Sequence, residues 1–233
     1  MKMGGPGPFV ERMVILLTYH GLTLFFRWVG RVRVVGKEHI PSGGGVLFLA
    51  NHISALDVFF LPRFIYEVCP QDRLRLIAKE ELLEIPLIGW WLRKLRAFPI
   101  KRGKANLGAI RTIENFIRND KVIIYPEGTR SLDGKLGPGN RMVGKFIRAA
   151  RPTVIPVGIK GTNGIVPVGK KLPRRGAKIE LIFGPPLDIR DELAIDNIKE
   201  SSVRIVEKAM AAISSLLDDS TEALAPAKAA VKV

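Results

Sequence analysis

Cysteine, histidine, aromatic and acidic residues are all in short supply in this chain, and each shortage removes a class of function. A single cysteine, Cys69, permits neither an internal disulfide nor a cysteine-rich metal site. It follows an apolar helical pattern, precedes Pro70 and has no histidine near it in sequence, so it reads as a small half-buried filler rather than a reactive thiol. The three histidines, His20, His39 and His52, would nearly all be needed for a multi-histidine zinc site, so no metal is expected. Aromatics are only 7%, and the basic clusters (Arg93, Lys94, Arg96 and Lys170, Lys171, Arg174, Arg175) lack the interleaved rings on which bases stack. Nucleic acid is therefore not the expected partner, and headgroup contact or acyl-carrier docking suits those clusters better. A Gly-x-Ser-x-Gly elbow is missing, so a serine nucleophile on a strand-to-helix turn is not expected. Acids number 22 against 37 Lys and Arg, leaving +15 at pH 7, which calls for an anionic partner.

Uncharged stretches are short. The longest near the start, Met13 to Phe26, would reach ~21 Å as a helix, less than the ~30 Å of a bilayer's hydrocarbon core. Arg12 precedes it and Arg27, Arg31 and Arg33 follow, with no small-residue cleavage site after Phe26. Residues 1–30 are expected to form a membrane-associated segment that dips into one leaflet, with basic flanks at an anionic surface. Packing wholly inside the protein is the competing reading, and Gly21 is expected to divide the run into two short helices.

From Arg31 onward the chain alternates short β-rich runs with helical patterns, the rhythm of an α/β layer fold within 31–217. Strands are expected at 32–35, 46–50, 74–79, 97–100, 122–126, 153–159 and 178–183. Helices are expected near 55–68, 86–95, 104–118, 140–150 and 190–217. Several strands are apolar throughout, which implies burial on both faces. The Ala-rich end, 218–233, reads as a flexible tail.

Chemistry concentrates at strand ends. VLFLA (46–50) runs into Asn51, His52, Ile53, Ser54, Ala55, Leu56 and Asp57, then a helical pattern. Ser54 and Asp57 have capping-box spacing, so Asp57 could simply finish a helix end. The same placement would set His52 beside the helix's positive end, which favours the neutral ring a general base needs. Asp57 could then fix the ring's tautomer, provided the loop folds His52 back. A second strand ends in Ile100, Lys101, Arg102 and Gly103, where the planar fork of Arg102 suits a phosphate. A third ends at Pro126 and opens a polar turn of Glu127, Gly128, Thr129, Arg130 and Ser131. Gly128 would let amides approach an anion, Thr129 adds a hydroxyl donor, and Glu127 could orient an arginine or accept from a sugar-like hydroxyl. Pro156 within TVIPVGI suggests an edge strand or a bend.

Taken in order, Asn-His-x4-Asp, Ile-Lys-Arg, Pro-Glu-Gly-Thr-Arg-Ser and Val-Ile-Pro-Val resemble the 1-acyl-sn-glycerol-3-phosphate (lysophosphatidic acid) acyltransferases of the PlsC type, over about residues 31–185. The resemblance implies a mixed, largely parallel sheet flanked by helices, often with an N-terminal two-helix membrane element. It implies transfer of a fatty acyl group from acyl-CoA or acyl-ACP, as co-substrate and without a cofactor, to the free hydroxyl of lysophosphatidate, giving phosphatidate. His52 and Asp57 match the catalytic pair. Arg102, Glu127, Gly128 and Arg130 match phosphate- and glycerol-binding positions, Pro156 matches the fourth motif, and Asn51, Lys101 and Thr129 group with the substrate-binding set. A monotopic place on the cytoplasmic membrane, catalytic domain on the cytoplasmic face, goes with it. Where the second motif usually opens with glycine and places an acid before its arginine, this chain has Arg96 and Lys101. Another lysolipid acceptor, a thioesterase using water, and a non-catalytic basic binding module are the rival readings.

Overall fold

The computed structural model describes residues 9–70, 72–100, 107–166 and 172–218. Lys101, Arg102, Lys170, Lys171 and the tail past Asp218 lie outside these residues. The chain opens with α1 (Phe9–Val29), β1 (Gly30–Val35), β2 (Val46–Ala50), α2 (Asp57–Val68) and β3 (Leu74–Lys79). There follow α3 (Glu80–Glu84), α4 (Pro86–Lys94), β4 (Ala97–Ile100), α5 (Leu107–Asn119) and β5 (Lys121–Ile124). The last third carries α6 (Arg141–Ala150), β6 (Thr153–Lys160), β7 (Ala177–Phe183), α7 (Arg190–Ala194) and α8 (Ile198–Asp218).

Among the described residues the strands form one seven-stranded sheet in the order β1-β7-β6-β2-β5-β3-β4. Neighbours are parallel except β6 and β7, so the sheet is mixed but largely parallel. Both faces of the central strands are buried, which is why VLFLA carries no polar residue. Strand periodicity divides it: Val46, Phe48 and Ala50 face one core with Ile155, Val157 and the α2 residues Phe60, Leu61 and Ile65. Leu47 and Leu49 face the other, with Ile147 of α6 and Ile205, Ala209 and Ile213 of α8. This two-sided burial fixes β2 at the centre of the sheet, and so fixes the loop that follows it.

Three expectations are corrected. Gly21 does not divide α1, which runs unbroken for 21 residues. A glycine inside a helix costs only ~0.5–1 kcal/mol relative to alanine, too little to break a ladder supported on both sides. A second helix of a two-helix element is accordingly not formed between Phe9 and Val29. Pro156 is not at an edge: it lies in β6, third strand in from β1. Its carbonyl accepts from Gly184 N at 2.8 Å, and β6–β7 ladder pairing begins one residue later, at Val157. A strand residue's N–H and C=O point the same way, so the missing proton faces the end of β7 and no bond to β2 is lost. The helix expected over 190–217 is two helices, because Asn197 Oδ1 accepts from Lys199 N at 3.0 Å and Glu200 N at 3.2 Å and so caps α8 separately.

α1 is long and apolar enough to cross a membrane by length and composition, and only 17% of its most apolar stretch is buried in the protein.

Candidate active site

The loop between β2 and α2 carries the first motif and is held from three directions. Asn51, at the strand's end, is turned inward. Its Nδ2 donates to Ile159 O at 2.9 Å and its Oδ1 accepts from Ile159 N at 2.7 Å. Both ends of the amide are used in tying β2 to β6. The side chain fixes where the next residue leaves the sheet.

That residue is His52. Its Nδ1 lies 2.9 Å from Asp57 Oδ2. A carboxylate only accepts, so Nδ1 carries a proton, and in the neutral ring the lone pair lies on Nε2. Asp57 is fully buried, and the same Oδ2 accepts from Ile53 N at 2.8 Å and Ser54 N at 2.7 Å. Its Oδ1 accepts from Thr162 Oγ1 at 2.6 Å. The capping box expected of Ser54 and Asp57 is thus formed in part: the carboxylate reaches back to Ser54 N, while Asp57 N donates to the backbone oxygen of Ser54 rather than to its hydroxyl. Helix α2 begins at Asp57 itself, after Leu56, while Ser54 Oγ accepts from Leu56 N. The carboxylate points back toward the loop, where two amides and a hydroxyl hold it for the imidazole. Lying at the helix N-terminus also favours its charge.

The third motif closes over the same residue. Glu127 Oε1 accepts from His52 N at 2.9 Å and Oε2 accepts from Gly137 N at 2.9 Å. Ser131 N donates to His52 O at 2.8 Å. Both backbone groups of His52 are therefore held by the 127–131 turn, and Glu127 spends its two oxygens on amides rather than on an arginine. Gly128 has φ of 71°, which a side chain would strain, and its N–H donates to Tyr125 O at 3.0 Å within the turn. Thr129 and Arg130 are exposed in the same turn, one and two residues before the Ser131 amide that holds His52 O. Pro156 packs against Gly184, where a Cβ would come within 2.8 Å of its ring, and serves the strand rather than the loop.

Tyr125 completes the arrangement. Its ring stacks on the imidazole with centroids 4.1 Å apart and planes 21° from parallel. Burial, with the nearby Asp57 charge, raises its phenol well above the ordinary value, so it stays neutral against the histidine. Its hydroxyl is buried without a hydrogen-bond partner among the described residues. The imidazole keeps 13% of its side-chain surface exposed. With one nitrogen held on a buried carboxylate, the imidazole in its neutral form can take a proton from an alcohol or water at the other. Among the described residues no cluster of metal-ligating side chains occurs.

A family profile described as "Acyltransferase" matches residues 31–160, a span that holds the first and third motifs and β1 through β6. The chain belongs to the acyltransferase family. Its likeness to a crystal structure, the 1-acyl-sn-glycerophosphate acyltransferase PlsC from Thermotoga maritima, covers 90% of this acyltransferase and 80% of that chain, with a TM-score of 0.67 and 27% identity. A 1-acyl-sn-glycerol-3-phosphate acyltransferase of Bacillus subtilis is 28% identical over 163 residues, 70% of this chain and 76% of that protein. The chloroplastic 1-acyl-sn-glycerol-3-phosphate acyltransferase of Arabidopsis thaliana is 28% identical over 163 residues. The matched region is 44% of the length of that relative, and also of its chloroplastic counterpart in Brassica napus.

Two residues of this acyltransferase's site were not read from sequence. Thr162 joins Asp57 across a separation of 105 positions, and no local pattern announces it. Tyr125 sat in plain view as the residue before Pro126, but an aromatic at a strand end reads as core.

Proposed function

We propose that this acyltransferase moves a fatty acyl group from a thioester, acyl-CoA or acyl-ACP, to the free hydroxyl of lysophosphatidate, giving phosphatidate. The reading is carried by one observation: His52 Nδ1 is bound at 2.9 Å to a carboxylate with no exposed surface, which leaves Nε2 as a base. The acceptor hydroxyl attacks the thioester carbonyl as His52 Nε2 takes its proton, and Asp57 steadies the imidazolium that forms. Collapse of the tetrahedral intermediate breaks the carbon–sulfur bond, and the departing thiolate recovers the proton from His52. A thiol has a pKa of about 8.5, so little acid assistance is required and no acyl-enzyme forms. Arg130, with Arg102, holds the phosphate and sets the hydroxyl near the ring. The names of the relatives from Bacillus subtilis and Thermotoga maritima support this acceptor.

The protein is read as monotopic. Helix α1, at ~1.5 Å per residue, reaches ~31 Å, and Phe9, Leu17, Leu24 and Trp28 lie exposed along it. His20 and Arg27 are exposed too, which suits a helix lying in the cytoplasmic leaflet's interface.

Thiol release from acyl-CoA or acyl-ACP, measured with and without lysophosphatidate and followed by identification of the lipid product, tests the proposal. Release that requires the acceptor and yields phosphatidate is expected. Equal release without acceptor would make the protein a thioesterase, and no release from either donor would leave only a binding role.

A further inference from the structure

At the end of the sheet opposite His52, four arginines line one cavity of about 300 Å³: Arg73, Arg75, Arg93 and Arg96, with Glu11, Ala97 and Phe98. Its position follows from the topology. Strands β2, β5, β3 and β4 run parallel, and His52 follows the C-terminal end of β2. Arg73 and Arg75 stand at the N-terminal end of β3, and Ala97 and Phe98 begin β4. The two places are thus separated by a strand's length, ~15–20 Å.

The arginines are brought together at some expense. Arg75 Nε donates to Asp120 Oδ2 at 2.8 Å, and its guanidinium lies 4.4 Å from the Phe116 ring centroid. Arg93 Nη1 donates to Leu83 O at 2.9 Å. Arg96 Nε donates to Glu11 Oε1 at 2.6 Å. Even with Glu11 and Asp120 each cancelling one charge, two positive charges remain in excess around the cavity. Arg96 also has φ of 60°, a left-handed conformation that disfavours any side chain. It occupies the turn between α4 and β4, where glycine would be free of strain. A guanidinium stands there instead, aimed into a cavity already rich in them.

The elements that supply this cavity also carry exposed apolar side chains. Phe9, Val10 and Met13 are exposed on α1, and Leu87, Ile88 and Trp90 on α4, of which Trp90 lies one turn before Arg93. A cationic pocket between helices that both expose apolar side chains matches an amphipathic anion. We infer that this cavity binds the phosphate of an anionic membrane lipid, at a place separate from the transfer site, with the lipid's chains against α1 and α4. Arginine forks accept a phosphate through paired hydrogen bonds, and the volume sits at the lower end of the ~300–1,000 Å³ of ligand pockets.

Co-sedimentation of the full chain with vesicles tests the site, comparing phosphatidylcholine alone with an equimolar mixture of phosphatidylcholine and phosphatidylglycerol. The double variant Arg73→Gln/Arg96→Gly should bind the mixed vesicles at least about tenfold more weakly than wild type. Lys199→Gln/Arg204→Gln, which removes the same charge from exposed positions on α8, should stay within about twofold. Equal loss in both doubles would reduce the effect to overall charge and overturn the inference. Arg96→Gly relieves the backbone, so its melting temperature should hold while its binding falls; if it unfolds, Arg73→Gln alone carries the comparison. Inorganic phosphate, titrated at constant ionic strength, separates the sources. Cavity-dependent phosphate binding with vesicle binding unchanged in the variants would assign the site to a free anion and refute the lipid.

Discussion

Replacing Asp57 with asparagine leaves most of the loop's geometry available while removing its charge. The carboxylate accepts four hydrogen bonds, from His52 Nδ1, Ile53 N, Ser54 N and Thr162 Oγ1. An amide oxygen in place of Oδ2 can keep the first three, and the NH2 group can donate to the Thr162 oxygen once that hydroxyl turns. Stability should therefore fall by only ~1–2 kcal/mol, the difference between charge-assisted and neutral bonds. The transition state loses more. Imidazolium and carboxylate charges ~4 Å apart interact by about 4 kcal/mol at an effective dielectric of 20. At ~1.4 kcal/mol per tenfold, turnover should fall about a thousandfold. Acceptor-dependent thiol release, with circular dichroism and a thermal melt on the same samples, measures both effects. A folded Asp57→Asn protein within about threefold of wild-type turnover would return Asp57 to a purely structural role.

Thr162→Val keeps the side chain's shape but leaves a buried carboxylate oxygen without its donor. It should cost ~1–3 kcal/mol of stability and about tenfold in turnover, by thermal melts and steady-state kinetics. Glu127→Gln can accept from only one of the two amides, His52 N and Gly137 N, because its NH2 must face the other. Turnover should fall about tenfold or more, with the KM of the acyl donor changing little, since the clamp acts on the histidine's position. Arg130→Ala should raise the acceptor's KM at least about tenfold while the donor's stays within about twofold. An equal rise for both substrates would remove Arg130 from the phosphate.

What the sequence disclosed depended on how local each signal was. Strands such as VLFLA and the VIPVGI of β6 were legible because two-sided burial leaves no polar side chain in them. His52 and Asp57 could be named together because the loop joining them is short. The spacing of Ser54 and Asp57 fitted both a helix cap and a partner for the histidine, and the same Asp57 oxygen serves Ser54 N and His52 Nδ1. The backbone partners of Asn51 and Glu127, Ile159 for the first and His52 and Gly137 for the second, were not legible in the sequence. Such pairings are set by the sheet order, which only the folded chain reveals. Arg96 stood out in sequence as a departure from glycine, and its left-handed backbone gives that departure a cost that can be measured.

The most direct measurement is acceptor-dependent thiol release by His52→Ala, made on protein whose melting temperature matches wild type. With no base on the acceptor hydroxyl, the rate should fall by about a thousandfold or more, with phosphatidate no longer formed above background. A folded variant that still makes phosphatidate at a tenth or more of the wild-type rate would show that another group takes the proton.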